Sequence, residues 1–260
     1  MRYSALIYCA LGSVLMLSMP ASAFRLPQPQ QEVVAGRVAL IQFNADRGDA
    51  QSQYLLGLMY ISGRYMSKDI DKGMGLLRQA ADANDADAQR ALADLTFEGR
   101  IVARNLSTAE HWYRKLADTG DHWAKFRLGF VYAAGGTGVA RDCGKAVHYF
   151  SDAGDKVSMG NVAWILATCP EQQFRDGERA VALATELLKA NEADPTFLDN
   201  LAAAYAEMGD FVSAVATQKQ ALVQLELSAN HQLKNKEDEF RQRLEDYRNH
   251  KPYREILPLE

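Results

Sequence analysis

The chain repeats itself every 36 residues, and this period constrains its fold more than any other feature. A glycine or asparagine followed by aspartate recurs at three places: Gly48-Asp49, Asn84-Asp85 and Gly120-Asp121. The columns that follow agree as well: Leu56, Leu92 and Leu128; Gly57, Ala93 and Gly129; Gly63, Gly99 and Gly135. A period of this length predicts a repeat protein in which each unit stacks on the next.

Each unit has the pattern of two antiparallel helices, most clearly over residues 120–154. The apolar residues of its first helix share one face: Ala124, Leu128, Val131 and Tyr132. Glycines end that helix, and after the potential cap Asp142 a second apolar stripe follows: Ala146, Tyr149, Phe150 and Ala153. Gly129 lies inside the first helix, where glycine costs about 1 kcal/mol relative to alanine. We therefore expect a neighbouring helix to approach the backbone closely at Gly129.

These units resemble the Sel-one-like repeats, close relatives of the tetratricopeptide repeats. The family pattern is Leu-Gly-x-x-Tyr, a glycine loop, and then Asp-x-x-Lys-Ala-x-x-Trp-Tyr-x-x-Ala. The third unit matches it at Leu128-Gly129, Tyr132, Asp142, Lys145-Ala146 and Tyr149-Phe150. The second unit departs most, with Ala93 and Thr96 in place of glycine and tyrosine. The resemblance implies an all-α fold, a right-handed α-solenoid of stacked helical hairpins.

Helical pairs continue beyond the third unit. Helices are predicted over residues 159–168 and 177–189, and Asp194 before Pro195 indicates the start of another. That last segment resembles a tetratricopeptide unit at its small and apolar positions: Leu198, Leu201, Ala202, Tyr205, Gly209, Ala214 and Ala221. Gln218 stands where that family usually has an aromatic residue, which predicts looser packing.

The C-terminal segment predicts a capping helix followed by a tail. Residues 233–247 combine many charges with a narrow apolar stripe formed by Phe240, Leu244 and Tyr247. A helix with one apolar and one polar face can end a helical stack. The tail over 251–260 contains two prolines, and we expect it to be mobile or docked through Tyr253 and Ile256.

The N-terminal segment predicts export. Arg2 precedes an apolar run over 5–17 and the small residues Ala21, Ser22 and Ala23, which signal peptidase accepts. Cleavage after Ala23 would release the protein into the bacterial periplasm or the medium without a membrane span, and an uncleaved anchor is the alternative. The predicted divisions are a signal peptide over 1–23, a linker over 24–32, a leading helix with three Sel-one-like repeats over 33–155, tetratricopeptide-like hairpins over 156–226, and a capping helix with its tail over 227–260.

Two cysteines, Cys143 and Cys169, lie in the exported part of the chain. An even number of cysteines in an exported protein favours a disulfide. The two residues flank the predicted turn near Lys156 almost symmetrically, and such positions lie side by side in an antiparallel hairpin. A disulfide between them is therefore predicted, with two buried free thiols as the alternative.

Patterns that would support catalysis or cofactor binding are weak. The histidines are scattered, and none has a ligand partner at helical spacing: His111, His122, His148, His231 and His250. The glycines at 135, 136, 138 and 144 before Lys145 superficially resemble a phosphate loop, but their spacing is wrong and Ala146 replaces the required serine or threonine. We expect a turn at this place, no cofactor, no metal and no enzymatic activity.

The remaining candidate for function is the surface. In stacks of this type the first helix of each unit lines a concave groove, whose variable positions contact the ligand. Aligning the units gives the candidate protein-binding residues: Gln51, Leu58 and Ile61 in the first unit, Asp87, Asp94 and Phe97 in the second, and Trp123, Phe130 and Ala133 in the third. The alternative for Trp123 and Phe130 is packing against the neighbouring hairpin.

The expected partner is a protein or peptide. A formal net charge of -4 argues against nucleic acid and anionic membranes as partners. The sequence thus predicts an exported, non-catalytic adaptor or scaffold. Two alternatives stay open. One is a β-lactam-binding or β-lactam-hydrolysing repeat protein, as some exported, cysteine-rich members of the resembled family are reported to be, and the other is a purely structural spacer in an envelope complex.

Overall fold

The computed structural model describes residues 30–190, 194–228 and 235–257, together with residue 259. Twelve α-helices lie within these residues: α1 (Gln30–Asp46), α2 (Ala50–Ser62), α3 (Ile70–Asp82), α4 (Ala86–Glu98), α5 (Leu106–Asp118), α6 (His122–Ala134), α7 (Cys143–Ala153), α8 (Lys156–Thr168), α9 (Gly177–Ala190), α10 (Pro195–Glu207), α11 (Phe211–Leu227) and α12 (Glu237–Arg248). The described residues contain no β-strand. The predicted all-α fold is confirmed.

Aspartate or asparagine begins ten consecutive helices, α2 to α11. Each of these side chains accepts a hydrogen bond of 2.7 to 3.2 Å from a backbone N–H two or three residues further on. The capping residues are Asp49, Asp69, Asp85, Asn105, Asp121, Asp142, Asp155, Asp176, Asp194 and Asp210. Such a cap satisfies a backbone donor that has no partner within the helix and stabilises the helix by about 1 kcal/mol.

The helices stack in chain order to form an α-solenoid. Each helix packs against the next one from α1 to α12, and α8 packs against α10 as well. One continuous apolar core runs through the stack, from Ile61 on α2 to Tyr247 on α12. The first helices of successive hairpins, α2, α4, α6, α8 and α10, form what we call the first-helix face.

Glycine lets the two helices of a hairpin approach closely. A Cβ atom on Gly129 of α6 would lie 2.6 Å from ring atoms of Phe150 on α7, and Phe150 is completely buried. In the first unit, a Cβ atom on Gly73 of α3 would lie 2.7 Å from the carbonyl oxygen of Gly57 on α2. The close approach predicted at Gly129 is therefore confirmed.

Cys143 and Cys169 form a disulfide that joins the start of α7 to the end of α8. Their Cα atoms are 6.6 Å apart, and both residues are buried. Beside the disulfide, the Arg141 guanidinium donates to Glu171, with Nη1 at 2.7 Å from Oε2. The bridge closes a loop between residues 26 positions apart, for which the chain-entropy relation gives roughly 3 to 4 kcal/mol of stabilisation.

A buried ion pair attaches α12 to the stack. Asp199 on α10 and Arg243 on α12 are 4% and 3% exposed, and Arg243 Nε lies 2.9 Å from Asp199 Oδ1. Gln218 is fully buried and donates to the same carboxylate oxygen at 2.7 Å and to the Phe240 carbonyl at 3.1 Å. The looser packing predicted at Gln218 is wrong, because its amide fills the space and joins α10, α11 and α12.

The ends of the helical stack differ from the predicted boundaries. Helix α1 begins at Gln30, so the last three residues of the predicted linker are helical. Helix α12 begins at Glu237 rather than at 233, a position that lies outside the described residues. The predicted signal peptide over 1–23 also lies outside them.

The tail that follows α12 returns to the stack. The Tyr253 ring packs against Trp164 on α8, with 5.9 Å between ring centroids, whereas Ile256 is 53% exposed. Docking is therefore confirmed for Tyr253 and wrong for Ile256.

A substitution at Gly129 tests the close helix contact. We expect Gly129→Leu to lower the free energy of unfolding by about 1 to 3 kcal/mol, because the side chain would displace the buried Phe150 ring. Gly75 on α3 is the matched control, since a Cβ atom added there would meet no neighbouring side chain or helix within 4 Å. Gly75→Leu should leave stability unchanged or raise it slightly. Urea unfolding of the two variants measures this, and equal stabilities would contradict the role of Gly129.

Candidate protein-binding surface

The predicted contact positions fall into three columns, and the first column is exposed. Gln51, Asp87 and Trp123 each occupy the second position of a first helix, and all three are exposed to solvent. Trp123 is 40% exposed, an unusual fraction for so large an apolar ring. These three residues remain available for contact with a partner.

The third column is buried, which corrects the prediction for Phe97 and Ala133, whereas Ile61 still lines the groove described below. Ile61, Phe97 and Ala133 are only 5%, 2% and 4% exposed. Each lies four residues after the column of Gly57, which faces the second helix of the hairpin, so each points to the same side of its helix. Phe97 accordingly packs edge-on against Tyr113 of α5, with 6.0 Å between ring centroids.

The middle column is half-buried, and its three residues differ in their surroundings. Leu58 lies in a groove described below. The Asp94 carboxylate accepts hydrogen bonds from the Tyr113 hydroxyl at 2.6 Å and from Trp123 Nε1 at 3.4 Å. Phe130 packs against Phe126 of the same helix and Phe150 of α7, each at 5.1 Å between ring centroids, so Phe130 is engaged within its own hairpin rather than against the neighbouring one.

An open groove of about 670 Å³ runs between α2 and α4 on the first-helix face. Its floor is aliphatic and half-buried: Leu55, Leu58 and Met59 come from α2, and Ala91 and Leu95 come from α4. Asp94 and Glu98 border one side, Arg64 and Lys68 border another, and the loop residue Ile101 is 47% exposed at the rim. We call this feature the α2–α4 groove.

Sequence reasoning found Leu58, Ile61 and Asp94 of this groove but missed the rest of its floor. Leu55 and Met59 flank Leu58 at helical spacing, and Leu95 follows Asp94, so a second apolar stripe was readable on α2 and α4. Ile101 lies in a loop, and no pattern in the sequence indicates which residues it packs against. The groove therefore depends on residues that a column-by-column alignment treats as core.

Trp123 lies beside this groove and is held by its neighbours. Its ring stacks on Phe126, with 5.5 Å between centroids, and the Arg127 guanidinium lies 4.4 Å from its centroid. The same guanidinium lies 4.7 Å from the centre of Phe97. Since Asp94 also accepts from its indole, Trp123 is ordered before any partner binds, which lowers the entropic cost of binding.

Fixed charges hold α4 and α6 in register. Arg90 on α4 forms an ion pair with Asp121, the cap of α6. Burial would raise the pKa of Asp121, but the hydrogen bond from Arg90 and those from backbone N–H groups lower the pKa overall. Burial beside the Asp94 carboxylate raises the pKa of Tyr113, so this hydroxyl stays protonated and donates to Asp94.

Within the described residues, one group of three side chains has the proximity of a metal site: Cys143, Cys169 and Glu171. Its two sulfurs are bonded to each other, and Glu171 is hydrogen-bonded to Arg141, so the group has no free ligand set.

The glycine-rich segment over 135–138 forms a turn, with an isolated bridge between Gly136 and Val139. None of the described helices is long and apolar enough to span a membrane.

Three stretches of the chain match the Sel1 repeat family: residues 50–85, 86–121 and 124–156. The Sel1 repeat protein from Oxalobacter formigenes superposes on this structure with a TM-score of 0.58 and 22% identity. The match covers 76% of this chain and 58% of that one, so this chain spans less than two thirds of that protein. At this identity the likeness shows a shared fold.

Two further solved structures are less similar. A protective antigen with an SLR fold from uropathogenic Escherichia coli matches at 19% identity and a TM-score of 0.48, over 82% of this chain and 54% of that one. A thermophilic tetratricopeptide repeat protein from Thermus thermophilus matches at 20% identity and a TM-score of 0.42, over 74% of this chain and 99% of that one. No curated protein matches the sequence.

Two alanine substitutions separate the surface from the core. Trp123→Ala should cost about 0.5 to 1.5 kcal/mol, since it removes a partly exposed aromatic stack, and the protein should stay folded. Phe97→Ala should cost about 3 to 5 kcal/mol, because it leaves a cavity between α4, α5 and α6. Thermal unfolding followed by circular dichroism measures both, and a larger loss for Trp123→Ala than for Phe97→Ala would contradict this division.

Proposed function

We propose that this chain, with its three Sel1 repeats, is a non-catalytic scaffold. It binds a protein or peptide through the α2–α4 groove and the adjoining Trp123. Sel1 repeats commonly mediate protein–protein interaction. The observation that carries the proposal is the groove itself, an open aliphatic floor bordered by charged side chains of both signs.

The chemistry of the groove indicates the kind of partner segment that fits it. Leu58, Met59 and Leu95 offer apolar surface to an aliphatic or aromatic side chain. Buried apolar anchors of this kind, surrounded by a polar rim, supply most of the binding energy in protein interfaces. The rim carries two carboxylates, Asp94 and Glu98, and two cations, Arg64 and Lys68, so it can pair with a partner charge of either sign next to that anchor.

A charge placed in the groove tests this function. Leu58→Glu should reduce capture of the partner at least tenfold, because it puts a carboxylate on the apolar floor. Val212→Glu on α11 is the matched control, since Val212 is 84% exposed and lies far along the stack. Cross-linking pull-down from the native envelope, with both variants shown to be folded, provides the comparison. Equal capture by the two variants would place the partner elsewhere.

We further propose that the scaffold acts in the bacterial periplasm or outside the cell. The signal-like segment over 1–23 supports export. The Cys143–Cys169 disulfide supports it as well, since disulfides persist in oxidising compartments.

The mass of the protein recovered from an envelope fraction tests export. We expect an intact mass that lacks residues 1–23 and is two hydrogens lighter than that of the dithiol form. A protein that keeps residues 1–23 and stays in the cytoplasmic fraction would contradict export.

A further inference from the structure

The tail after α12 crosses the first-helix face as an extended segment. His250 has a φ of 54°, which turns the chain after the helix, and residues 251–257 have no helical or strand structure. The segment passes from α12 to Glu207 on α10 and reaches Trp164 and Thr168 on α8. It therefore contacts the C-terminal ends of two neighbouring first helices, since Thr168 is the last residue of α8 and Glu207 is the last residue of α10.

The end of α8 offers backbone acceptors to this segment. Ala167 and Thr168 are the last two residues of α8, and their carbonyls have no partner within the helix. The Glu255 backbone N–H donates to the Thr168 carbonyl at 3.0 Å, and the Arg254 guanidinium donates to the Ala167 carbonyl at 3.2 Å. These contacts are available to any extended backbone that carries an arginine at the same place.

Three consecutive side chains of the tail each meet a matching group. Tyr253 packs against Trp164 and lies 5.3 Å from the buried Arg243 guanidinium. Arg254 forms an ion pair with Glu207, which also accepts from Arg175 Nε at 2.8 Å. Glu255 accepts from Trp164 Nε1 at 2.8 Å. The receiving groups are also held by other parts of the stack, because the Arg243 guanidinium lies 5.3 Å from the Trp164 ring centroid and Arg175 Nε donates to Glu207 at 2.8 Å.

Beyond Glu255 the tail is held by apolar contacts, since Leu257 and Leu259 are half-buried and pack against the core. Lys251 and Ile256 are exposed, and within residues 252–257 a single backbone hydrogen bond to the helices is present. Attachment through half-buried side chains and a single backbone hydrogen bond, with none of residues 251–257 and 259 fully buried, is typical of a bound peptide. A structural segment of the core would instead bury most of its side chains.

We propose that Trp164, Ala167, Thr168 and Glu207 form a second peptide-binding site, which the tail of this chain occupies. The ligand class is an extended peptide with an aromatic residue, an arginine and an acidic residue in that order. A partner that carries this sequence displaces the tail. The site is separate from the α2–α4 groove, so its test is independent of the function proposed above.

The tail competes with a partner because it is tethered. A short tether gives its bound segment an effective concentration on the order of millimolar. A free peptide at micromolar concentration therefore binds poorly while the tail is in place. Weakening the tail in the full-length chain exposes the site.

The test uses a fluorescently labelled synthetic peptide with the sequence of residues 251–260, Lys-Pro-Tyr-Arg-Glu-Ile-Leu-Pro-Leu-Glu. Fluorescence anisotropy measures its binding to the full-length protein and to the full-length double variant Tyr253→Ala/Arg254→Ala. We expect saturable binding to the double variant that is at least tenfold tighter than to the unmodified protein. A peptide with the same two alanines should not bind.

A substitution in the receiving groups locates the peptide. Adding Glu207→Gln to the double variant should weaken peptide binding at least tenfold, since it removes the charge-assisted pair with arginine. Glu186 is an exposed glutamate on α9, so adding Glu186→Gln is the matched control. It should leave peptide binding unchanged. No saturable binding to the folded double variant, or binding that Glu207→Gln leaves unchanged, would overturn the proposal.

Hydrogen exchange of the unmodified protein tests whether the tail is displaceable, even if the double variant does not fold. If the tail is displaceable, the Glu255 amide, which donates to the Thr168 carbonyl, should exchange at least a hundredfold faster than the hydrogen-bonded amides of α8. Equal protection of the tail and α8 would show that the tail is a permanent part of the core and would overturn the proposal.

Discussion

The fold depends on one repeated interaction, the closing of a helix N-terminus by an aspartate or asparagine side chain. Each cap fixes the residue at which a helix begins, and with 3.6 residues per turn it therefore fixes which residues face the neighbouring helix. In the third unit the caps Asp121 and Asp142 place Gly129 and Phe150 opposite each other, so the two helices pack with almost no space between them. The caps, the glycines and the apolar stripes thus specify the same arrangement, and such consistency across levels favours a single folded structure.

Because capping aspartates are engaged at helix ends, the acidic composition of the chain is a poor measure of its surface charge. Hydrogen bonds from Ser52 lower the pKa of Asp49, and the pKa of Asp121 is lower than usual although burial opposes the shift. These aspartates are therefore ionised, and each carboxylate lies at the positive end of a helix dipole. Nine of the 33 acidic residues are thus engaged at helix N-termini, one unit after another. The net charge by itself says less about the surface that a partner meets than the composition suggests.

The repeated half of the fold could be predicted because its contacts are local. The period, the caps and Gly129 are all readable within a single hairpin, and each appears where the sequence places it. The error at Phe97 and Ala133 was avoidable, since both lie one helical turn after positions recognised as packing residues. The α2–α4 groove was harder to predict, because its floor combines residues from α2, α4 and the loop at Ile101. Two other contacts join residues that are far apart in the chain: the ion pair between Asp199 and Arg243, and the ring contact between Tyr253 and Trp164. No periodic pattern in the sequence indicates such partners.

The return of the tail to α8 gives the two halves of the molecule different folding behaviour. In a solenoid each repeat touches only its neighbours, so unfolding can spread unit by unit from either end. The hydrogen bond between Trp164 and Glu255 joins residues 91 positions apart, and the one between Glu207 and Arg254 spans 47. Closing such long loops has an entropic cost, which slows the formation of these contacts. While the tail is docked it couples α8 and α10 to α12, whereas the hairpins from α2 to α5, which precede the disulfide between α7 and α8, keep the stepwise behaviour of an open stack.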